Sequence, residues 1–194
     1  KPSHGLAMAK QLEEDLRLLS VEARKRYPLV KEAAERSIIK LRAKIAVLLR
    51  VARSEASSGN SSNNGSAKSA SAFCAGEELL RPFVLACNHA DVSVKIGVMS
   101  LSAFQRLLSR GAVAVEQFPN IVRVLRIQSL SNEDEILLRI LQTLPLILTV
   151  TEFEVPEDSL RQAVLICSDL GAASSPIIRS LASATLRQLL TVLY

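Results

Sequence analysis

Seven apolar residues, Val30, Ala34, Ile38, Leu41, Ile45, Leu48 and Ala52, recur at spacings of 4, 4, 3, 4, 3 and 4. Only a helix brings positions so spaced onto one side, so the spacing predicts a long amphipathic helix with an apolar stripe down its whole length. Pro28 stands just ahead as the first helical residue, where a missing N–H is harmless. Before it, Leu6, Leu12, Leu16, Leu19 and Ala23 line one face over residues 6–25, with His4 in an extended lead-in. Residues 1–53 are therefore expected to form a leading helical hairpin.

Helical periodicity also governs the far side of the chain. Helices are expected near 77–87, 92–109, 116–128, 133–148, 157–170 and 176–193. Asp91 is placed to cap the second of these, Ser131 with Asp134 resembles a capping box, and Pro156 and Ser175-Pro176 suit first turns. Pro145 is expected to kink its helix. Aromatic residues make up 4% of the chain and Trp is absent, against 48% apolar residues overall. Leu, Val, Ile and Ala must supply the burial, which is the vocabulary of packed helices.

Between the two helical stretches, residues 54–72 hold eight Ser, three Asn and two Gly without any period. A flexible Ser/Asn-rich linker is expected over 54–75, read either as a partner-binding loop or as a tolerated insertion.

Internal similarity points to stacked repeats. LRPFVLAC (80–87) and LRQAVLIC (160–167) share Leu, Arg, Val, Leu and Cys in register. LSAFQRLL, LRILQTLP and SATLRQLL align on Phe104, Leu141 and Leu186, which lie 37 and 45 apart. A period near 40 with two helices per unit is that of armadillo or HEAT repeats, each unit burying its apolar face on the next. The expected fold is all-α, an armadillo/HEAT-like α-solenoid of stacked helix pairs. It occupies 1–194 as a single domain, with helical repeats over 76–194. Because the chain opens on Lys1 and stops inside the apolar run LRQLLTVLY, it is expected to be a fragment of a larger protein.

The second helix of each expected pair is wet along one narrow stripe. Lys95, Ser102, Arg106 and Ser109 form it in the first, Glu135, Arg139 and Gln142 in the next, Arg179, Ser183 and Arg187 in the last. A helix wet on one stripe has neighbours on both sides. Lys95, Arg106, Arg139, Arg179 and Arg187 are the candidate protein-binding row, because a guanidinium fork pairs well with carboxylates at an interface.

Charge is unevenly placed. Residues 1–53 hold 13 Lys/Arg against six Asp/Glu, net +7, while residues 54–194 hold 11 against 13, net −2. The stretch RKRYPLVKEAAERSIIKLRAK (24–44) contains eight of the cations. Lys31, Arg36, Lys40 and Lys44 are candidates for contact with an anionic membrane or an acidic partner, or they form an ordinary solvated face. The alternative is a nucleic-acid-binding helical domain through 24–44. A phosphate-tracking surface, however, concentrates its charge in one groove, often with stacking aromatics, and Tyr27 is the one aromatic here.

The sequence carries no catalytic signature, so no catalytic, cofactor-binding or metal-binding residue is expected. Cys87 with His89 is half a zinc site, and a structural site takes four ligands. Cys74, Cys87 and Cys167 are odd in number and fit reduced thiols in a cytosolic setting. The clusters Glu13-Glu14-Asp15, Glu133-Asp134-Glu135 and Glu157-Asp158 are assigned to helix starts, where negative charge complements the helix dipole. The most apolar stretch, 136–150, carries Arg139, Gln142 and Pro145 and is shorter than the roughly 20 residues of a membrane span. Nothing at the N-terminus resembles a signal peptide.

Four segments taken in order, DLRLLSVEARKRYPLVKEAAERSIIKLR, LLRPFVLACNHADVSVKIGVMSLSAFQRLLSRGAV, EILLRILQTLPLIL and ATLRQLLTVLY, resemble the dimerisation and cyclophilin-binding domain of the Mon-two (monensin-sensitivity) family. These are Golgi and endosome trafficking scaffolds related to the Arf guanine-nucleotide exchange factors, and the run ILQTLPLIL speaks for Mon-two over the catalytic exchangers. The resemblance implies an armadillo-like regulatory domain without exchange activity. It implies a protein on the cytoplasmic side, peripheral on trans-Golgi network and endosome membranes. Family partners would include a Dopey-type scaffold, a phospholipid flippase complex, Arf-like small GTPases and a second copy of the domain. It transfers no ligand residues.

Overall fold

A computed structural model describes residues 4–57, 73–89, 91–149 and 156–193. Among them the chain is all-helical, with no strand. Eight α-helices follow in order: α1 (His4–Ala23), α2 (Pro28–Ser57), α3 (Glu77–Asn88), α4 (Val94–Leu108), α5 (Phe118–Gln128), α6 (Asp134–Thr149), α7 (Glu157–Leu170) and α8 (Pro176–Leu193). A single 3-10 turn, Val115–Gln117, leads into α5. No described helix is long and apolar enough to cross a membrane. The chain divides into two compact units, Lys1–Pro82 and Phe83–Tyr194, with the boundary inside α3.

In the first unit α1 packs antiparallel on α2. Leu12, Leu16, Leu19 and Ala23 of α1 and Val30, Ala34 and Leu41 of α2 are each 2% exposed or less. The stripe of α2 is buried only as far as Leu41. Ile45 and Leu48 of the stripe are half-buried, and Val47 beside it is exposed. Ser37 ties the hairpin to the start of α3 by donating to the Glu78 carbonyl at 2.6 Å.

Several expectations are corrected here. His4 begins α1 and does not precede it in an extended segment. Helix α2 continues to Ser57, four residues into the expected linker, because Ser54, Glu55, Ala56 and Ser57 break no helical rule. At the linker's other end Phe73 and Ala75 are buried, since an aromatic ring and a small apolar residue gain from leaving water. Residues 58–72 lie outside the described residues.

In the second unit α4, α6 and α8 pack side by side, and α5 packs on α7. Helices α7 and α8 pair, as do α5 and α6. This is the two-layered arrangement in which each second helix is flanked by others, as the narrow wet stripes require. Equivalent positions of the 80-residue similarity share their environments: Arg81 and Arg161 are exposed, while Phe83 and Ala163, Ala86 and Ile166, and Cys87 and Cys167 are buried. Phe104 and Leu141 are buried anchors as expected, whereas Leu186 is half-buried and α8 buries Ile178, Ala182, Thr185 and Leu189 in its place.

Helix ends follow local chemistry. Ser93, not Asp91, caps α4: its Oγ accepts from the Ile96 amide at 3.4 Å, while Asp91 lies in the turn and its amide donates to His89 Nδ1. Ser131 Oγ accepts from the Glu133 amide, one position short of a capping box, because α6 starts only at Asp134. Pro156 is the residue before the first turn of α7, and Pro176 is the first residue of α8. Helix α6 runs through Pro145, and α3 through Pro82. After α4, Gly111 takes a left-handed φ of 61°, which a side chain would oppose, and the Ala112 amide turns back to the Leu107 carbonyl at 2.9 Å.

Candidate functional site

Helices α4, α6 and α8 carry the five residues of the expected binding row. Lys95 on the first turn of α4 is exposed and Arg106 near its end is half-buried; both have polar or charged contacts. Arg139 of α6 reaches sideways, its Nη1 3.4 Å from Gln105 Oε1 of α4, so the wet stripes of these two helices adjoin. On α8, Arg187 is exposed and its Nε donates to the Ser183 carbonyl of its own helix at 3.3 Å. Of the five donors of this guanidinium, Nε is the one engaged there.

Arg179 has a different occupation. Its Nη1 donates to the carbonyls of Ala173 and Ser174, each at 2.9 Å, which closes the turn from α7 to α8. Those carbonyls have no helical partner of their own, so this guanidinium acts as a cap.

The basic face of α2 is laced with carboxylates. Lys31 pairs with Glu35 at 3.6 Å, Arg36 with Glu32, and Lys40 with Glu78. Lys40 holds the Glu78 carboxyl below its ordinary value, with Lys44 adding to the same field. Lys44 also borders a shallow cleft of about 410 Å³ with Ala43, Val47, Leu48, Phe73 and Cys74.

Glu13 is a residue whose role sequence reasoning missed. The cluster Glu13-Glu14-Asp15 lies well inside α1, because the helix starts at His4, and so it does not serve a helix start. Glu13 instead accepts from Arg42 Nε at 2.9 Å and Arg17 Nη2 at 2.8 Å, and these two guanidinium groups hold its carboxyl below the ordinary value. The Arg17 partner was legible at a spacing of four. Arg42 lies 29 residues away on the facing helix and was not. Asp134 with Glu135, and Glu157 with Asp158, do fall in first turns.

Nucleophiles are poorly served. Burial pushes the thiols of Cys87 and Cys167 up to about 12, so both are protonated at neutral pH. His89 is exposed in its turn while Cys87 is buried. Among the described residues no three His, Cys, Asp or Glu side chains converge as a metal site. A second cleft, of about 350 Å³ between α5 and α7, is bordered by Asn120, Arg123, Arg126, Asp158 and Gln162. Arg126 there is paired with Asp169.

Comparison with known proteins gives the class of domain. Residues 3–194 match the family model described as Mon2/Sec7/BIG1-like, dimerisation and cyclophilin-binding domain. The chain is 32% identical over 187 residues to the MON2 homolog of Homo sapiens, an alignment covering 96% of this chain and 10% of that protein. The MON2 homolog of Xenopus laevis is 34% identical, covering 94% of this chain and 9% of its own length. That of Drosophila melanogaster is 31% identical, with 94% and 9% covered. The chain thus spans about a tenth of the length of these relatives. With nearly every residue inside the match, the chain belongs to the Mon2/Sec7/BIG1-like family of dimerisation and cyclophilin-binding domains.

Proposed function

We propose that the chain is a non-catalytic protein-binding module of a vesicle-trafficking scaffold, working by self-association and by contact with partner proteins. The observation that carries this reading is the run of adjoining wet stripes on α4 and α6, continued on α8, within a domain class whose description includes dimerisation. Arg106, Arg139 and Arg187, with Lys95, present cationic donors along neighbouring rods, a pattern suited to an acidic helix or a carboxylate-bearing surface. Arg179 contributes by holding the α7–α8 turn and so stands apart from the contact residues.

In this reading the partners are a second copy of the domain, a Dopey-type scaffold, an Arf-like small GTPase or a flippase complex. The full-length protein is recruited peripherally to the cytoplasmic face of trans-Golgi and endosomal membranes. Support comes from the similarity to MON2 homologs.

The test is charge reversal of Arg106, Arg139 and Arg187 to Glu. Sedimentation equilibrium reads self-association and pull-down reads partner capture, with helical circular dichroism confirming the fold. Loss of both, against wild-type behaviour for a reversal at Arg161 on α7, supports the row. Unchanged association and capture in the triple variant rejects it.

A further inference from the structure

Where α1 turns into α2, three cations follow one another in sequence. Arg24, Lys25 and Arg26 are exposed, and none is in an ion pair or side-chain hydrogen bond among the described residues. They differ in this from Arg17, Lys31, Arg36, Lys40 and Arg42, each of which has a carboxylate partner. The nearest acidic residue in sequence, Glu22, is half-buried and already engaged.

Beside these cations the hairpin shows aliphatic side chains to solvent. Val21 is 72% exposed and Leu29 73%, on the last turn of α1 and the first of α2, with Leu18 49% exposed one turn earlier. Val21 lies opposite the buried row of α1, so its exposure follows from the helical period. The turn itself is held firmly. Tyr27 and Ala23 are buried, the Tyr27 amide donates to the Ala23 carbonyl at 2.9 Å, and the Lys31 amide donates to the Tyr27 carbonyl at 3.1 Å.

We propose that this turn, residues 18–29, is a docking site for an anionic phospholipid surface. Cations meet the phosphate and carboxylate headgroups while Val21 and Leu29 enter the interfacial layer, the division of labour of a shallow peripheral anchor. A single-stranded nucleic acid fits less well, because it calls for stacking rings and the Tyr27 ring is buried. The proposal deepens the membrane-recruitment part of the function above and rests on it for its place in the cell. The lipid contact itself is separate from the α4–α6–α8 row.

Co-sedimentation of the purified chain with phosphatidylcholine vesicles, with and without phosphatidylserine, tests it. Binding is expected to the phosphatidylserine vesicles alone and to fall as salt rises. Combined Arg24→Glu, Lys25→Glu and Arg26→Glu lowers partition about a hundredfold. Val21→Ser with Leu29→Ser lowers it about tenfold at unchanged charge. Because all five side chains are exposed, helical circular dichroism should stay as in wild type. The milder Arg24→Gln, Lys25→Gln, Arg26→Gln variant serves if the reversal misfolds. The idea is overturned by no binding to phosphatidylserine vesicles, or by binding that survives the loss of the three charges. It is also overturned if the aliphatic pair has no effect while oligouridylate competes fully, which makes the turn a nucleic-acid site. Vesicle binding intact in the Arg106, Arg139, Arg187 reversal, with partner capture lost, separates this site from the proposed protein-binding row.

Discussion

Gln128 and Gly97 show how tightly single residues are set in the second unit. Gln128 Nε2 donates to the buried Cys87 carbonyl at 2.7 Å, while its Oε1 is buried without a partner among the described residues. That oxygen lies 3.4 Å from where a Cβ at Gly97 would stand, and Ile136 Cδ1 lies at 3.3 Å. Alanine at position 97 would gain about 1 kcal/mol in helix propensity. Overpacking against the two side chains costs about 1–3 kcal/mol, so crowding wins. Gly97→Ala should therefore lower stability by about 1 kcal/mol in urea denaturation. The same change made in an Ile136→Val background should be neutral or stabilising, because Cδ1 is gone; equal losses in both backgrounds would show that crowding is not the cause. Cysteine chemistry is decided at the same scale. Cys74 is exposed, while Cys87 and Cys167 are about 1% exposed or less, with thiols pushed up to about 12. Iodoacetamide at mildly alkaline pH should add one adduct to the native chain, at Cys74, and three in urea, as read by mass spectrometry.

The hairpin of α1 and α2 is the element whose stability should respond most plainly to acid. Glu13 has a lowered pKa in the folded hairpin, chiefly through Arg42, then through Arg17. A carboxylate lowered on folding contributes stability that is fully present above its ordinary value of 4.5 and is lost as pH falls through the lowered one. Glu78, lowered by Lys40, acts in the same direction. Glu13→Gln should cut stability at neutral pH by up to about 1 kcal/mol, the scale of exposed pairs. It should also flatten the loss below that pH, measured by urea midpoints along a pH series; an unchanged acid slope would remove Glu13 from the account. How such elements form was largely legible: period fixes which residues of α1 and α4 are buried, and Pro176 starts its helix because it has no N–H to donate and disfavours helical backbone at the residue before it. What escaped was selection among similar side chains. Asp91 and Ser93 are both good caps, and only the position of the first turn makes Ser93 the one in reach of the Ile96 amide. Glu13 met Arg42 because two helices packed at one register, which no local spacing encodes. The binding row was legible as a set of stripes, but Arg179 looked like its neighbours until the α7–α8 turn brought two carbonyls to it.

At the scale of the whole molecule the question is whether a net charge of +5 makes this a polyanion binder. Long-range attraction follows net charge, but nucleic-acid affinity follows the number of phosphates neutralised at once. Lys31, Arg36, Lys40, Arg42 and Arg17 already have carboxylate partners, and binding RNA through them would mean breaking those pairs. Arg24, Lys25 and Arg26 are left as a contiguous group without a side-chain partner among the described residues, enough for about three phosphates. For single strands the slope of log affinity against log salt is about −0.7 per phosphate, so oligouridylate should bind with a slope near about −2. A dedicated site spanning six to ten phosphates would give about −4 to −7. Fluorescence anisotropy across a salt series distinguishes the two. A shallow slope, lost on reversing residues 24–26, fits a basin of charge confined to one turn. A steep slope that survives that reversal would mean the α2 pairs open on binding, and the helix face of residues 31–44 would then be a nucleic-acid surface.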